Sequence, residues 1–254
     1  MEHNYALLLP LVVGLCASCQ TSSPMSEEKA VALVTALGGK ITRDESLPGR
    51  PVVEVDFLVT ETPVTDGHLK QIKAIKGLRK LNVSGNRITD AGLAHLKELK
   101  DLQYLSLAMT HITDAGLIDF LKEHRDLRKL DVSQTKITHA SLTAVSELKG
   151  LEELRLSDTQ ITDADLKLVG EMRGLTDLWL IRTKVTDLGV RELKELKGLR
   201  TLYLSGSQVT DGCIEDLKEM KGLKDLHLGR TRITQGGLDA IRQAMPETVV
   251  SYAR

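Results

Sequence analysis

The sequence is poor in aromatic residues, cysteine and net charge, and each shortage excludes a class of protein. Phe, Tyr and Trp make up 3% of the 254 residues, whereas a compact core of this length normally uses many large rings. Three cysteines cannot supply a disulfide framework. The formal charge of −1, from 34 Lys and Arg against 35 Asp and Glu, argues against a nucleic-acid binder with a general basic surface. No apolar run reaches the ~20 residues of a transmembrane helix.

Leucine, in contrast, is abundant, with 43 copies in the chain. The hydrophobic content of 41% is enough to bury a core, which excludes wholesale disorder. An excess of leucine with few aromatic residues indicates many small and similar packing units. The composition therefore predicts internal repeats.

A 24-residue motif repeats along most of the chain, with the pattern LxxLxLxxTxITDxGLxxLxxLKG. One unit is a residue longer, around Lys122–His124. A degenerate copy from about Glu54 precedes the others, and the spacing aligns Phe57 with Leu81. The full units begin at Leu78, Leu102, Leu127, Leu151, Leu175, Leu199 and Leu223. The twelfth position is threonine in all eight copies: Thr65, Thr89, Thr113, Thr138, Thr162, Thr186, Thr210 and Thr234.

This pattern resembles the leucine-rich repeat family, whose core is LxxLxLxxN/CxL. The resemblance covers about residues 54–246 and is closest to bacterial repeats with an ITDAGL segment, as at Ile88–Leu93. It departs at the ninth position, where the usual asparagine occurs only as Asn86 and other copies carry Thr or Ser. A hydroxyl can also bond the turn backbone. The resemblance implies an α/β fold, a right-handed solenoid with a parallel sheet on its concave face and helices on its convex face.

The physics of one unit is consistent with that fold. LxxLxL alternates with a period of two, which predicts a short strand with positions four and six buried and positions three, five, seven and eight outward. The Thr-Asp pair then predicts a helix start, with the repeated aspartates in the capping position. Leu93, Leu96 and Leu99 form the buried stripe of one such helix. Because one unit cannot bury its own leucines, neighbouring units must stack.

The chain divides into five predicted regions: a signal peptide (1–19), a linker (20–25), an N-terminal cap (26–53), eight repeats (54–246) and a C-terminal cap (247–254). Residues 5–19 are almost wholly apolar and too short to span a bilayer, which is typical of a secretory signal. Ala17-Ser18-Cys19 resembles the end of a bacterial lipobox, which implies a lipid on Cys19. Against this stand the lack of Lys or Arg before the apolar run, and Cys16 where the lipobox usually has an aliphatic residue. An N-terminal helix packed on the domain is the alternative.

We find no catalytic constellation, cofactor motif or metal-ligand spacing in the sequence. The repeated aspartates occupy one position of every unit, so helix caps are favoured over a cation site. Cys213 falls in a column of mostly small residues and is predicted to be a packing residue rather than a nucleophile. The expected protein is therefore not an enzyme and carries no cofactor.

The scarce aromatic residues mark a candidate binding site. Trp179, Tyr203 and His227 share position five in consecutive units, so they should lie side by side on the concave face. Aromatic anchors flanked by arginine are typical of binding hot spots, although exposed strand positions also favour rings that pack across strands. The predicted site comprises Trp179, Tyr203, His227, Ile181, Arg155, Arg182, Arg230 and Tyr104. A second, mildly basic row at position ten comprises Arg87, His111, Lys136, Lys184 and Arg232. It is expected to be a solvated edge, and a contact for an acidic partner is the alternative.

The resemblance implies protein–protein interaction, and we expect a monomeric scaffold that holds a protein or glycan ligand and no nucleic acid. The expected location is the periplasm or cell envelope, with membrane attachment through Cys19; soluble secretion and the cytoplasm are alternatives. The repeats are also similar to those of F-box ubiquitin-ligase receptors. Such a receptor needs an adaptor-binding helical module before its repeats, whereas residues 26–53 fit a cap. A secreted effector would share the same architecture.

Overall fold

The computed structural model describes residues 25–252 of the chain. Strands and helices alternate from β2 onwards. The strands are β1 (Lys40–Arg43), β2 (Val52–Asp56), β3 (Lys80–Asn82), β4 (Tyr104–Ser106), β5 (Lys129–Asp131), β6 (Glu153–Arg155), β7 (Asp177–Trp179), β8 (Thr201–Tyr203), β9 (Asp225–His227) and β10 (Val249–Ser251). The helices are α1 (Glu27–Ala36), α2 (Asp66–Ile72), α3 (Asp90–His95), α4 (Asp114–Leu121), α5 (His139–Ser146), α6 (Asp163–Gly170), α7 (Asp187–Leu193), α8 (Ile214–Lys218) and α9 (Gln235–Ala244). Short 3-10 turns occupy Leu96–Glu98 and Asp211–Cys213.

The ten strands form one sheet in simple chain order. Strands β2 to β10 are parallel to their neighbours, and only β1 runs antiparallel, to β2. Each unit adds one strand to the sheet and one helix beside the previous helix, so all units are equivalent layers. The predicted α/β repeat solenoid is confirmed.

Leucine fills the space between the sheet and the helices. Positions four and six of each strand are inaccessible, as Leu105 and Leu107 show, and the helical leucine Leu117 meets them from the other side. Phe57 and Phe120 are the only aromatic side chains in this core among the described residues. A layer spacing of ~4.8 Å leaves room for one aliphatic side chain per position, which explains why leucine dominates.

The alignment predicted for the first, degenerate repeat was wrong by two residues. Val55, not Phe57, pairs with Leu81, and Phe57 follows as the next inward residue. The loop from Phe57 to Thr65 is therefore two residues longer than its counterparts, and Val59 is 80% exposed rather than buried. Because the loop is longer, Thr65 follows Phe57 at the same distance as Thr89 follows Leu81. This coincidence caused the wrong alignment.

Both ends of the solenoid are covered. Helix α1 begins after Ser26, whose hydroxyl accepts the backbone N–H of Lys29, and it ends before Gly38 at a φ of 79°. At the other end β10 extends the sheet, and Tyr252 packs on the core while its hydroxyl donates to the carbonyl of Ile233 at 3.2 Å. These ends shield leucines that have no further repeat beside them.

The aspartates of the ITD segment are not the helix caps that the sequence predicted. Threonine is the N-cap, as at Thr89, and the aspartate is the first helical residue. The carboxylate of each such aspartate instead bonds the threonine of the next repeat. Asp66, for example, accepts the Thr89 backbone N–H at 2.9 Å and the Thr89 hydroxyl at 2.6 Å. The same two bonds join Asp90 to Thr113, Asp114 to Thr138, Asp163 to Thr186, Asp187 to Thr210 and Asp211 to Thr234.

This aspartate ladder explains the glycine of the ITDxG segment. A Cβ atom at Gly116 would overlap the carboxylate of Asp90, and one at Gly92 would overlap that of Asp66. Where Ser141 replaces the glycine, its hydroxyl donates to Asp114. The pattern of one repeat is therefore set by the carboxylate of the preceding repeat.

One rung of the ladder is built differently. His139 stands where every other repeat except the last carries aspartate. The backbone N–H of Thr162 is therefore bonded instead by Asp165 of its own helix, at 2.7 Å. The other oxygen of Asp165 lies 2.7 Å from Nδ1 of His139. Asp165 can replace glycine here because no carboxylate comes from the preceding repeat.

Candidate functional site

Three aromatic side chains form a stacked ladder on the outward face of the sheet. Strand pairing places Trp179 beside Tyr203 and Tyr203 beside His227. The Trp179 and Tyr203 ring centroids are 5.0 Å apart with planes at 11°, and those of Tyr203 and His227 are 3.9 Å apart at 7°. The juxtaposition that the repeat spacing predicted is present.

Arg155 closes one end of this ring ladder. Its guanidinium carbon lies 4.3 Å above the centroid of Trp179, in cation–π geometry. Glu153, on the same strand, accepts a hydrogen bond from this guanidinium, with Nε to Oε1 at 2.8 Å. At the other end, Ser251 of β10 is the strand neighbour of His227. Neighbouring side chains therefore cover both ring faces of Trp179 and Tyr203, and these two rings meet solvent mainly through their edges.

Burial lowers the pKa of His227, and the charge of nearby Asp225 only partly opposes this shift. Burial therefore favours the neutral form of the imidazole, which stacks as an uncharged ring. Trp179, Tyr203 and His227 together present a flat, uncharged surface with polar atoms at its rim. Such a combination of apolar body and polar tip is common in protein interfaces.

The residues that follow the ring-bearing strands include Ile181, Arg182 and Arg230. They border a shallow pocket of about 230 Å³ beside the ring ladder, with Ser205, Gly206 and Gly229 as the other lining residues. Arg182 makes a bidentate ion pair with Asp158 of the preceding repeat, which raises the pKa of the guanidinium. Arg230 is exposed and has no ion pair within residues 25–252.

Tyr104 lies apart from the other predicted site residues. It is on β4, three strands from Trp179, at position three rather than five, and it borders a separate pocket of about 270 Å³. Burial raises the pKa of its hydroxyl. The structure therefore divides the predicted site into a main group around Trp179 and a second, polar group around Tyr104.

The polar group contains a buried charge that the sequence did not single out. Glu153 is 6% exposed and accepts from Lys129 Nζ at 2.8 Å as well as from Arg155. This hydrogen bond to Glu153 raises the pKa of Lys129. Glu153 thus links the Tyr104 pocket to the ring ladder through Arg155. Its position between two cations, Arg155 two residues later on the same strand and Lys129 at the same position of the preceding unit, was the signal that could have revealed it.

The basic row at position ten is exposed, as predicted: Arg87, His111, Lys136, Lys184 and Arg232. None of its members has an ion pair within the described part of the chain. On the helix side, in contrast, cations bind acids of the next repeat, as Lys73 and Lys76 do with Glu98. These two lysines lower the pKa of Glu98 to about 2.

Other candidate chemistry is limited to a few observations. Residues 25–252 contain no group of three or more His, Cys, Asp or Glu side chains arranged to hold a metal ion. Cys213 is buried, and burial with nearby Asp187 raises the pKa of its thiol to about 12, which disfavours the nucleophilic thiolate. No helix of this part of the chain is both long and apolar enough to cross a membrane. The predicted signal peptide, with Cys19, lies outside the described residues.

A family model described as "Leucine-rich repeat region" matches residues 59–248. The chain belongs to the leucine-rich repeat family. No curated protein matches the chain, but solved leucine-rich repeat structures do. Internalin C2 (inlC2) from Listeria monocytogenes str. 4b F2365 is 22% identical with a TM-score of 0.61, and the match covers 88% of this chain and 92% of that one.

An internalin (inlF) from the same Listeria strain is 23% identical with a TM-score of 0.57. That match covers 72% of this chain and 49% of the inlF chain, so this chain spans about half of the inlF chain's length. At such identities the likeness concerns the fold. It indicates that this leucine-rich repeat chain shares the internalin arrangement of strands and helices.

Proposed function

We propose that this leucine-rich repeat protein is a non-catalytic scaffold that binds a protein partner on the outward face of its sheet. The observation that carries the proposal is the ring ladder of Trp179, Tyr203 and His227. Phe, Tyr and Trp are rare in this chain, yet Trp179 and Tyr203 lie together outside the core, with the imidazole of His227 stacked beside them. Rigid aromatic anchors beside arginine are the residues that dominate the binding energy of protein interfaces.

The geometry of the ladder favours a protein over a glycan. Sugar rings bind aromatic side chains by stacking on an open ring face, and here both faces of Trp179 and Tyr203 are covered by neighbouring side chains. Ring edges and the tips of Tyr203 and His227 remain available to a partner. These suit the side chains and backbone groups of a protein segment.

Export and lipid attachment are part of the same proposal and rest on the sequence alone. The apolar run before Cys19 supports secretion, and Ala17-Ser18-Cys19 supports a lipid on the cysteine. Mass spectrometry of the mature N-terminus in the native cell tests both. A diacylated or triacylated Cys19 is the expected result, and an intact Met1 would contradict export.

The binding proposal is tested by capture with the immobilised full chain from extracts of the native cell. We expect Trp179→Ala and Tyr203→Ala to lose the captured protein. Each substitution removes one or two ring contacts, worth about 0.5–1.5 kcal/mol each beyond the loss of buried ring area, and it leaves the leucine core unchanged. The matched control is Leu188→Ala, because Leu188 is an exposed apolar side chain on α7, away from the sheet.

Melting curves of all variants separate binding from folding. Capture that survives both ring substitutions would contradict the proposal. So would a large loss of stability with unchanged capture, because the ladder would then serve only to pack the strands.

A further inference from the structure

The pocket beside the ring ladder has the size of a single side chain. Its floor consists of the residues two positions after each ring: Ile181 after Trp179, Ser205 after Tyr203 and Gly229 after His227. The volume of about 230 Å³ is below the range of about 300–1,000 Å³ for pockets that hold a small-molecule ligand. Most of the lining is apolar. The pocket is therefore continuous with the ring ladder and suits a side chain with a carbon stem.

The charge at the rim of this pocket is not balanced by the protein. Arg182 is neutralised by its bidentate pair with Asp158. Arg230 has no acidic partner among residues 25–252, and neither has Arg232, the next exposed cation on the same turn. A partner must supply the negative charge if Arg230 is to be paired. The positively polarised ring edges of the ladder also favour a negatively charged group on the partner.

The backbone at Arg230 is left-handed, as it is at the same turn position of every full repeat. Arg182 and Arg230 have φ of 53° and 56°, and the equivalent Gly206 between them has φ of 72°. This conformation therefore belongs to the turn of the repeat and is not specific to Arg230. Gly206 between the two arginines keeps the pocket open.

We infer that this pocket is a carboxylate subsite that accepts a glutamate or aspartate side chain of the protein partner. The carbon stem would lie over Ser205 and Gly229, and the carboxylate would bind the guanidinium of Arg230. A guanidinium can bind both carboxylate oxygens at once, which gives direction as well as affinity. This inference rests on the proposed function and names the chemistry that the partner presents.

The test uses random dodecapeptides displayed on phage and selected on the immobilised full chain. We expect the enriched peptides to carry an acidic residue next to an apolar one. Changing that acid to its amide, or Arg230→Gln in the protein, should weaken binding on the order of tenfold to hundredfold. Arg230→Lys should restore only part of the affinity, because an ammonium cannot form the bidentate pair. Arg242→Gln is the control, since Arg242 is an exposed arginine on α9.

The outcomes separate this inference from the proposed function. Peptides that need Trp179 but show no acidic preference and tolerate Arg230→Gln would overturn the subsite and leave the scaffold intact. Peptides that tolerate both Trp179→Ala and Arg230→Gln, or a failure to enrich any, would overturn both. Tight, Arg230-dependent binding of N-acetylglutamate alone would overturn the assignment to a protein partner.

Discussion

Different side chains at position nine of the repeat stabilise the same turn with different numbers of hydrogen bonds. Asn86 donates to the carbonyls of Phe57, Val83 and Ser84, and it accepts the backbone N–H of Val64 at 2.7 Å. The threonines at this position make one bond each, to the carbonyl three residues earlier. These are Thr110, Thr135, Thr159, Thr183 and Thr231.

The hydroxyl of Ser207 is the exception, because it is buried and has no hydrogen-bond partner among residues 25–252. We predict that Ser207→Thr raises the free energy of unfolding by about 1 kcal/mol, because the threonine rotamer of the other repeats bonds the carbonyl of Leu204. Urea unfolding measures the change. The reverse substitution Thr183→Ser is the control and should lower stability. A less stable Ser207→Thr variant would show that the pocket cannot hold the added methyl group.

Asp114 illustrates the charge of the aspartate ladder at the level of one residue. Burial opposes ionisation, but the bonds from Ser141 and Thr138 prevail and lower the pKa of Asp114 below the ordinary value of 3.8. The unfolded chain therefore binds this proton more readily than the folded chain. The stabilisation is present above pH 3.8 and is lost as the pH falls through the lower pKa of the folded state.

We expect Asp114→Asn to be less stable than the wild type at pH 7, on the order of 1 kcal/mol after solvent screening. The difference should shrink as the pH falls below 3.8, because the wild type then carries a neutral carboxyl as well. Urea unfolding of both proteins between pH 7 and about pH 3 measures it. A stability difference that does not change with pH would mean that the carboxylate charge plays no part.

At the scale of the element, the start of each helix depends on the helix before it. An aspartate in one repeat requires glycine, or a small hydrogen-bonding residue, three positions into the next helix. His139 and Asp165 break both halves of this rule together. Their exchange preserves the bonds to Thr162, which indicates that the two positions are coupled through space.

We predict a strong coupling between His139 and Asp165. Asp165→Gly alone should cost about 1–2 kcal/mol, because it removes the carboxylate that bonds the Thr162 backbone N–H at the start of α6. His139→Asp alone should also destabilise, because it brings two carboxylates together. The double variant should regain most of the loss, because it recreates the Asp–Thr–Gly arrangement of the other repeats. Thermal unfolding of the four proteins tests this, and additive losses would contradict the coupling.

At the scale of the whole molecule, the identical layers explain both what the sequence predicted and what it did not. The strands, helices and leucine core follow from periodicity, because each layer repeats the same burial. The first repeat was misaligned because its loop is two residues longer while Thr65 keeps an apparent register. The aspartates were assigned as caps because a carboxylate at the start of a helix can either cap that helix or bond the next repeat. The sequence pattern is the same in both cases.

The candidate site was predictable as far as strand register reaches. Spacing placed Trp179, Tyr203 and His227 on adjacent strands, and the structure brings them together. The spacing alone could not show that the rings stack face to face, that Arg182 is neutralised by Asp158, or that Tyr104 belongs to another pocket. Side-chain rotamers decide these features, and the repeat pattern does not constrain rotamers at exposed positions.

The central claim is that the outward face of the sheet, and not the helix side, contacts a protein partner. Photo-cross-linking in the native cell tests it most directly, with benzoylphenylalanine in place of Thr201, an outward residue of β8 beside the ring ladder, in one full-length variant and of Leu188 in another. We predict a discrete cross-linked protein from position 201 and none from position 188. The adduct should be lost when Trp179→Ala is added. Cross-links from position 188 alone, or from neither position, would contradict the account.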